Sequence, residues 1–423
     1  MAELAPPRGT QDLLAARADA MLGLYEEAHR LANLFGFRYL ETPTFEHTEL
    51  FARAAGETSD VATKEMYTFE DKGGRSLTLR PEMTPGIVRA YLDHAHELGT
   101  PFRAYFVGTS FRHGRPQTGR LREFRQFDVE VLGDASPGSD IEVIQLADRF
   151  LRGRGLERLT LKLNSIGDPV CRPAYRERLI AYLEPHAHEL DDDCRVRLRV
   201  NPLRVFDCKV DGDKDLVLAA PTVTEHLCEA CEAHFAGVRA GLDRADIAYE
   251  IDPRLVRGLD YYTRTAFEFV SGVLAGSKQG TVCGGGRYDG LAEVLGGPPT
   301  PGTGFGLGLD RVRLALEGEG QAPPPERSPA VFVVSIGPGA QGRAEALVDE
   351  LRAAGVSASR AYAERPLKAQ LRMADRAGAA HAAILGEREA AEGIVTLRRL
   401  ADGTQEEVPV GDVVKVLAER GTD

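Results

Sequence analysis

No apolar run in these 423 residues approaches the roughly 18 that a membrane-crossing helix needs, which removes proteins anchored by such a helix from consideration. The opening Met1-Ala2-Glu3-Leu4-Ala5-Pro6-Pro7 lacks the basic start and apolar stretch of a secretory signal. Cysteine is scarce: six in a chain this long do not make a disulfide scaffold, and they fit a reducing, cytoplasmic setting. There is neither an internal repeat nor a low-complexity tract. With 43% hydrophobic and 27% charged residues, the composition is that of an ordinary folded protein and excludes wholesale disorder. Positive charge is in deficit, 52 Lys and Arg against 64 Asp and Glu, for a formal net charge of −12. That argues against a protein coated in nucleic acid, while leaving room for a local basic surface on an acidic body. What is present is length enough for two or three domains.

Helical periodicity runs from Leu13 to Leu34 (Leu13, Leu14, Met21, Leu24, Tyr25, Ala28, Leu31, Ala32), and Gly36 stops it. A strand-like stretch, Phe37 to Leu40, follows. Lys64 to Pro81 reads as two short strands around Asp71-Lys72-Gly73-Gly74. Phe102 to Gly108 and Glu123 to Leu132 read as a strand pair joined by a loop rich in Arg, Gly and Pro. From about Cys171 to Gly241 the texture becomes helical, charged and Cys/His-containing, the mark of an inserted subdomain. Strand character returns at Ala248 to Ile251, Phe267 to Val270 and Thr281 to Cys283, and a glycine-rich strand then runs into a helix near Leu309. Gly318 to Pro329, with Pro323-Pro324-Pro325, reads as a linker. Beyond it, strands (Val331 to Ile336, Val356 to Ala361, Ala382 to Leu385) alternate with helices (Gln341 to Ala354, Leu367 to Ala377). That is the grammar of a small α/β domain with a largely parallel sheet.

Five segments carry chemistry. In Thr109 to Phe124, Arg112, Arg115, Arg120 and Arg122 crowd a loop whose shape Gly and Pro control; guanidinium groups are natural bidentate partners for phosphate. On the following strand Gln126, Asp128 and Glu130 fall at period two, hence on one sheet face. In Leu255 to Thr265, the pair Tyr261-Tyr262 beside Arg257 and Asp260 supplies aromatic walls with hydroxyl handles, suited to a flat polar side chain. The plainer reading is a tyrosine-rich strand edge with Arg257 paired to an acid such as Asp260. Cys283-Gly284-Gly285-Gly286-Arg287-Tyr288 lets backbone come close to a ligand. Gly302-Thr303-Gly304-Phe305-Gly306-Leu307-Gly308 has glycine at every second position, a strand pressed against something flat, with Arg311 opening the next helix. A dinucleotide fingerprint fits poorly, because the glycine spacing is two and no βαβ unit follows. Finally, Glu82 and Thr84 in Leu79 to Pro85 place an anion and a hydroxyl together, as an α-ammonium group wants, although such a pair also marks helix starts.

Together these segments resemble the histidyl-tRNA synthetases over nearly the whole chain. Pro7-Arg8-Gly9-Thr10-Gln11-Asp12 resembles that family's N-terminal signature, Phe111 to Glu130 class II motif 2, and Gly304 to Arg311 motif 3. Arg257 to Tyr262 and Gly285 to Tyr288 resemble the two segments peculiar to the histidine enzymes, which disfavours synthetases for threonine, proline or glycine. The resemblance implies an α+β catalytic domain, an antiparallel sheet flanked by helices, in two parts (1–170 and 246–319). It also implies a helical insertion (171–245), a linker (320–329) and an α/β anticodon-binding domain (330–423). A cytoplasmic homodimer in contact around Leu34 to Pro43 is implied, acting on L-histidine, ATP with Mg2+, and tRNA(His). Glu82, Thr84, Gln126 and Glu130 would hold the histidine ammonium and imidazole, with Tyr261, Tyr262 and Tyr288 around the ring. Arg112 would bind the α-phosphate and Arg311 the γ-phosphate, and Arg257 would stabilise charge on the α-phosphate. Gln117 and Arg120 would face ATP or the tRNA acceptor end.

The chain departs from the pattern at Gly114, where motif 2 usually carries Glu; backbone, water or Glu123 would have to replace that contact near the adenine. Asp310, where Glu is common, is a milder change. Cys194, Cys208, Cys228 and Cys231 all lie in the insertion, and only the last two have knuckle spacing, so unligated thiols are expected, with a structural zinc on those four as the alternative. Cys171 and Cys283 read as packing residues, and His186, His188 and His234 as surface histidines. The rival function is the regulatory subunit of ATP phosphoribosyltransferase, a synthetase-like histidine binder that charges no tRNA. A complete C-terminal α/β domain, together with Arg257 and Arg311, argues against it.

Overall fold

The computed structural model describes residues 4–56, 64–208, 210–212, 214–275, 280–321 and 327–419. The chain divides into two compact units, Met1–Pro323 and Pro324–Asp423; the proline run read as a linker falls outside the described residues.

The first unit contains strands β1 (Arg38–Tyr39), β2 (Phe45–His47), β3 (Tyr67–Glu70), β4 (Ser76–Leu79), β5 (Phe102–Phe111) and β6 (Glu123–Leu132). They are followed by β7 (Leu159–Ser165), β8 (Glu250–Ile251), β9 (Thr263–Ser271), β10 (Thr281–Arg287) and β11 (Gly302–Gly308). Eight of them make one sheet in the order β1-β5-β6-β11-β10-β9-β7-β8. The six inner strands are antiparallel neighbours, and only the two-residue edges β1 and β8 pair in parallel. The sheet is therefore mixed, with the expected antiparallel arrangement at its centre. The hairpin read around Asp71 is β3–β4, its turn held by the Asp71 carboxylate accepting from the Gly73 and Arg75 amides at 2.8 and 3.0 Å.

Period two divides the large sheet into an apolar and a polar face. On β6, Phe127, Val129 and Val131 enter a core with Phe267 and Phe269 of β9, Phe305 and Leu307 of β11, and the helices Ala16–Leu34, Pro137–Gly153 and Leu309–Gly318. The alternate residues of the same strands therefore point the other way, towards a second cluster that includes Met83, Ile87, Phe106 and Tyr261. The first helix starts later than its apolar spacing suggests, because Ala15 takes φ 48° and leaves Leu13 and Leu14 outside it.

The insertion has its own small core of Tyr175, Leu179, Leu198 and Val217. Its last helix, Glu229–Arg244, instead sends Phe235, Val238 and Leu242 into the main core. This overturns the surface reading of His234: it is buried, with Nε2 3.1 Å from Asp140 Oδ2.

The second unit holds β12 (Val331–Ser335), β13 (Ala358–Arg360), β14 (His381–Leu385), β15 (Ile394–Arg399) and β16 (Gln405–Pro409), in the order β13-β12-β14-β15-β16. The first three are parallel and the last two antiparallel. The α/β expectation holds for the parallel half. The β15–β16 hairpin was not read from sequence because edge strand β16 buries only Val408 and so shows no apolar alternation.

Candidate active site

Four inner strands build the polar floor, and glycine is what lets them. On β11, a Cβ at Gly304 would overlap the Glu130 carboxylate of β6; on β10, a Cβ at Gly284 would lie 2.6 Å from Arg257 Nη1. The flat object against which these glycine strands press is the sheet's own layer of charged side chains.

Glu82, Thr84, Gln126, Tyr261, Tyr262, Arg112, Arg120, Arg257 and Arg311 line one cavity of about 250 Å3. Glu130, Tyr288 and Gln117 are not part of its lining. Glu130 is fully buried one layer below, taking hydrogen bonds from Thr84 Oγ1 and Tyr288 Oη. Those two bonds hold the Thr84 and Tyr288 side chains together beneath the cavity. Gln117 is exposed in a tight turn whose amide and carbonyl pair with Arg120.

One end of the cavity is acidic and aromatic. Tyr261 Oη donates to Glu82 Oε2 at 2.9 Å, and the Tyr261 and Tyr262 rings lie 4.7 Å apart. Burial pushes the Glu82 carboxyl up, partly offset by Arg112. Burial, and then the Glu82 charge, holds Asp128 well above the carboxylate range. Tyr262 is pushed up to about 12 by burial, against the pull of Arg257. Among the described residues, Glu82 Oε1, Gln126 Oε1 and Asp128 Oδ2 are buried acceptors without a hydrogen-bond partner. Buried acceptors are costly when unmatched, typically ~1–3 kcal/mol each, so three on residues that line one cavity suit a multiple N–H donor.

The other end is cationic. Arg112 Nε donates to the Pro81 carbonyl at 2.8 Å, with its guanidinium over Phe124. Arg311 donates to the carbonyls of Gly119 and Thr281, both at 2.8 Å. Burial lowers the Arg311 pKa, and the charges of Arg112 and Arg120 lower it further. Guanidiniums that repel one another beside an open cavity make a site suited to an anion.

Sequence reasoning missed two acids here, Glu268 and Glu65, whereas Asp128 is legible as the middle member of the period-two triad. Glu268, the lone acid in Phe267-Glu268-Phe269, pairs with Arg257 and accepts from Thr281 Oγ1 at 2.7 Å. The acid that pairs with Arg257 is thus Glu268, while Asp260, the example offered for that alternative, accepts from Asn201 Nδ2 at 2.8 Å. Glu65, which no local pattern marks, pairs with Arg120. Arg120 lies over Gly114, where a Cβ would come 2.8 Å from its Nε, so Glu65, and not Glu123, is the acid lining the cavity beside this loop.

The cysteines do not assemble as the four-thiolate set. Cys194 and Cys208 lie side by side inside the insertion's own core, beside Asp191 and Asp211. Cys228 and Cys231 belong to the start of the helix that leaves for the main core, and they meet Asp168 and Cys171. Cys171 is thus buried as expected, but against thiols and a carboxylate.

An ammonium-seeking end joined to a phosphate-seeking end, on the polar face of an antiparallel-centred sheet, is the catalytic architecture of a class II aminoacyl-tRNA synthetase. Residues 9–312 match the family model described as Histidyl-tRNA synthetase, and residues 330–420 match one described as Anticodon binding domain. The chain belongs to the histidyl-tRNA synthetase family. It is 52% identical over 410 residues to the histidine--tRNA ligase of Moorella thermoacetica, covering 96% of each chain. Against that of Anoxybacillus flavithermus it is 46% identical over 404 residues, covering 95% of this chain and 96% of the other. It superposes on the apo histidyl-tRNA synthetase of S. aureus with a TM-score of 0.83 at 36% identity, covering 98% and 100%. No described helix is long and apolar enough to cross a membrane.

Proposed function

We propose that the chain activates L-histidine with ATP at this cavity and transfers it to the 3′ end of tRNA(His). The observation that carries the reading is the trio of unmatched acceptors, Glu82 Oε1, Gln126 Oε1 and Asp128 Oδ2, in one cavity with Arg112, Arg257 and Arg311. Glu82, Thr84, Gln126 and Glu130, joined by Asp128, receive the ammonium and imidazole N–H groups, and Tyr261, Tyr262 and Tyr288 stand around the ring. Arg112 grips the α-phosphate, Arg311 the γ-phosphate, and magnesium arrives bound to the triphosphate as part of the substrate. Arg120 and the exposed Gln117 face ATP or the acceptor end.

The histidine carboxylate attacks the α-phosphorus and the bond to pyrophosphate breaks. The terminal ribose hydroxyl then attacks the adenylate carbonyl and AMP leaves. No protein nucleophile is required: Cys283 lines the cavity, but burial raises its pKa well above the usual value and keeps it a neutral thiol. Catalysis rests on positioning and on stabilised phosphoryl charge. Residues 330–423 supply the anticodon contact. Exposed Leu34 and Tyr39, the latter in edge strand β1, support a homodimer through the segment around Leu34 to Pro43.

The test is ATP–pyrophosphate exchange with each of the twenty amino acids. Histidine alone should support strong exchange; binding of histidine without exchange would favour the regulatory-subunit reading.

Histidine binding should also release protons. Glu82 and Asp128 have raised pKa values in the free protein, so each keeps its proton into a range where an exposed carboxylate has lost it, and a bound ammonium favours the ionised forms. Affinity for histidine should therefore fall as pH drops through that elevated range. The same shift costs the free protein stability as pH rises from the ordinary carboxylate range through the raised values, because the folded chain retains protons that the unfolded chain has released. Calorimetry in two buffers of different ionisation enthalpy measures the release, and Glu82→Gln should diminish it. An identical proton count in the variant would remove Glu82 from the binding role.

A further inference from the structure

We infer that Asp168, Cys171, Cys228 and Cys231 form a tetrahedral site for a zinc ion that clips the two ends of the helical insertion together. Asp168 and Cys171 lie in the turn between β7 and the helix Arg172–Leu183, where the chain enters the insertion. Cys228 and Cys231 open the helix Glu229–Arg244, where it leaves. The four donor atoms all lie within 4.8 Å of one another.

The spacing is that of ligands around an ion. Cys171 Sγ is 3.9 Å from Cys231 Sγ and 3.6 Å from Asp168 Oδ1, and Cys228 Sγ is 3.9 Å from the same oxygen. Tetrahedral zinc, with bonds of ~2.3 Å to sulfur and ~2.0–2.2 Å to oxygen, sets its ligands about 3.8 Å apart between sulfurs and about 3.5 Å apart between sulfur and oxygen. Thiolate donors favour zinc over magnesium or calcium, which prefer all-oxygen shells.

The surroundings are built for this. Gly167 takes φ +66°, and a Cβ there would come 2.8 Å from Cys171 Sγ, so no other residue leaves the thiol its place. The Val170 amide donates to Asp168 Oδ1 at 3.0 Å and Arg264 Nη2 to Oδ2 at 3.2 Å, fixing the carboxylate's orientation as second-layer partners of a ligand do. Arg172, next to Cys171, donates to the carbonyls of Gly167 at 3.1 Å and Tyr262 at 2.7 Å. The clip is thereby tied to the aromatic wall of the cavity.

The full chain, purified anaerobically under reducing conditions, should carry close to one zinc per chain by elemental analysis. Cobalt replacing zinc should give the intense visible bands of a tetrahedral ion with thiolate charge transfer. Cys228→Ser and Cys231→Ser should each lose the metal, whereas Cys194→Ser, in the insertion's separate core, should keep it. Removing the ion from the parent protein with a chelator should lower Tm. Three results would overturn the site: no zinc uptake by the reduced parent protein, an octahedral cobalt spectrum, or undiminished zinc in both Cys228→Ser and Cys231→Ser. The cobalt spectrum of the parent protein keeps the test valid even if a variant fails to fold. Metal content is read independently of exchange, so failure here leaves the histidine reading standing.

Discussion

Arg257→Ala should slow adenylate formation by ~10²–10³-fold, the usual loss when a donor aimed at developing charge is removed, while ATP and histidine affinities stay within several-fold. Arg257 lines the cavity, lies flat over Gly284, and sits with its guanidinium 5.5 Å from the centre of the Tyr262 ring. Burial disfavours its charge, but Glu268, Tyr262 and Tyr261 together outweigh it and the pKa is raised, so the side chain is a fixed cation. Its Nε has no hydrogen-bond partner, leaving it able to take on a phosphate oxygen as negative charge grows there. Arg257→Lys should recover only part of the rate, because an ammonium keeps the charge and loses the planar fork. The competing role is structural, through the Glu268 pair, and then Arg257→Ala and Glu268→Gln should both act mainly on the melting temperature. Single-turnover adenylation beside a melting curve separates the two, and a folded Arg257→Ala protein with near-normal adenylation would sink the catalytic role.

Arg287→Ala should cost ~3–5 kcal/mol of stability, the loss expected when one partner of a buried ion pair is removed. Arg287 is fully buried, and its donors are matched: Asp140 Oδ2 at 2.6 Å, Asp289 Oδ1 at 3.0 Å, Ser139 Oγ at 2.9 Å, and the Asp134 and Ser136 carbonyls at 2.9 and 3.0 Å. Burial alone would raise Asp140; the hydrogen bond with His234 and then the Arg287 charge bring it below the ordinary range. The stability from Asp140 is present above its unfolded pKa and lost as pH falls through the depressed folded value. Without Arg287 the carboxylate is left with His234 and Thr303 Oγ1 alone. Denaturant unfolding at neutral pH gives the loss directly, and Arg287→Lys should recover a minority of it. Because Tyr288 follows Arg287 and holds Glu130 beneath the cavity, weakened histidine binding should accompany the destabilisation. An Arg287→Ala protein as stable as its parent would show that the network contributes little.

Much of the active site could be read before folding, since alternation on a strand is a local property. Gln126, Asp128 and Glu130 share a face because period two is built into extended backbone, and the glycines of β11 announce a close approach wherever that strand lies. What they approach was not local: β11 is sandwiched between β6 and β10, so its glycines make room for Glu130 and Tyr288, and one layer of the expected contacts lies below the cavity. Glu65 reaches Arg120 across 55 positions, a pairing that no spacing rule foretells.

The cysteines and His234 draw the same line more sharply. By itself the sequence determined the residue types, the faces they occupy and the elements that carry them, because helix and strand periodicity follow from backbone geometry. It also determined the family, through motifs each contained in a single segment. Only the tertiary structure decided which segments meet. Sending the helix Glu229–Arg244 into the main core buried His234 against Asp140, and it separated Cys228 and Cys231 from Cys194 and Cys208. That choice is made by long-range apolar burial, which depends on how whole helix faces fit together and leaves no mark in the local spacing of cysteines.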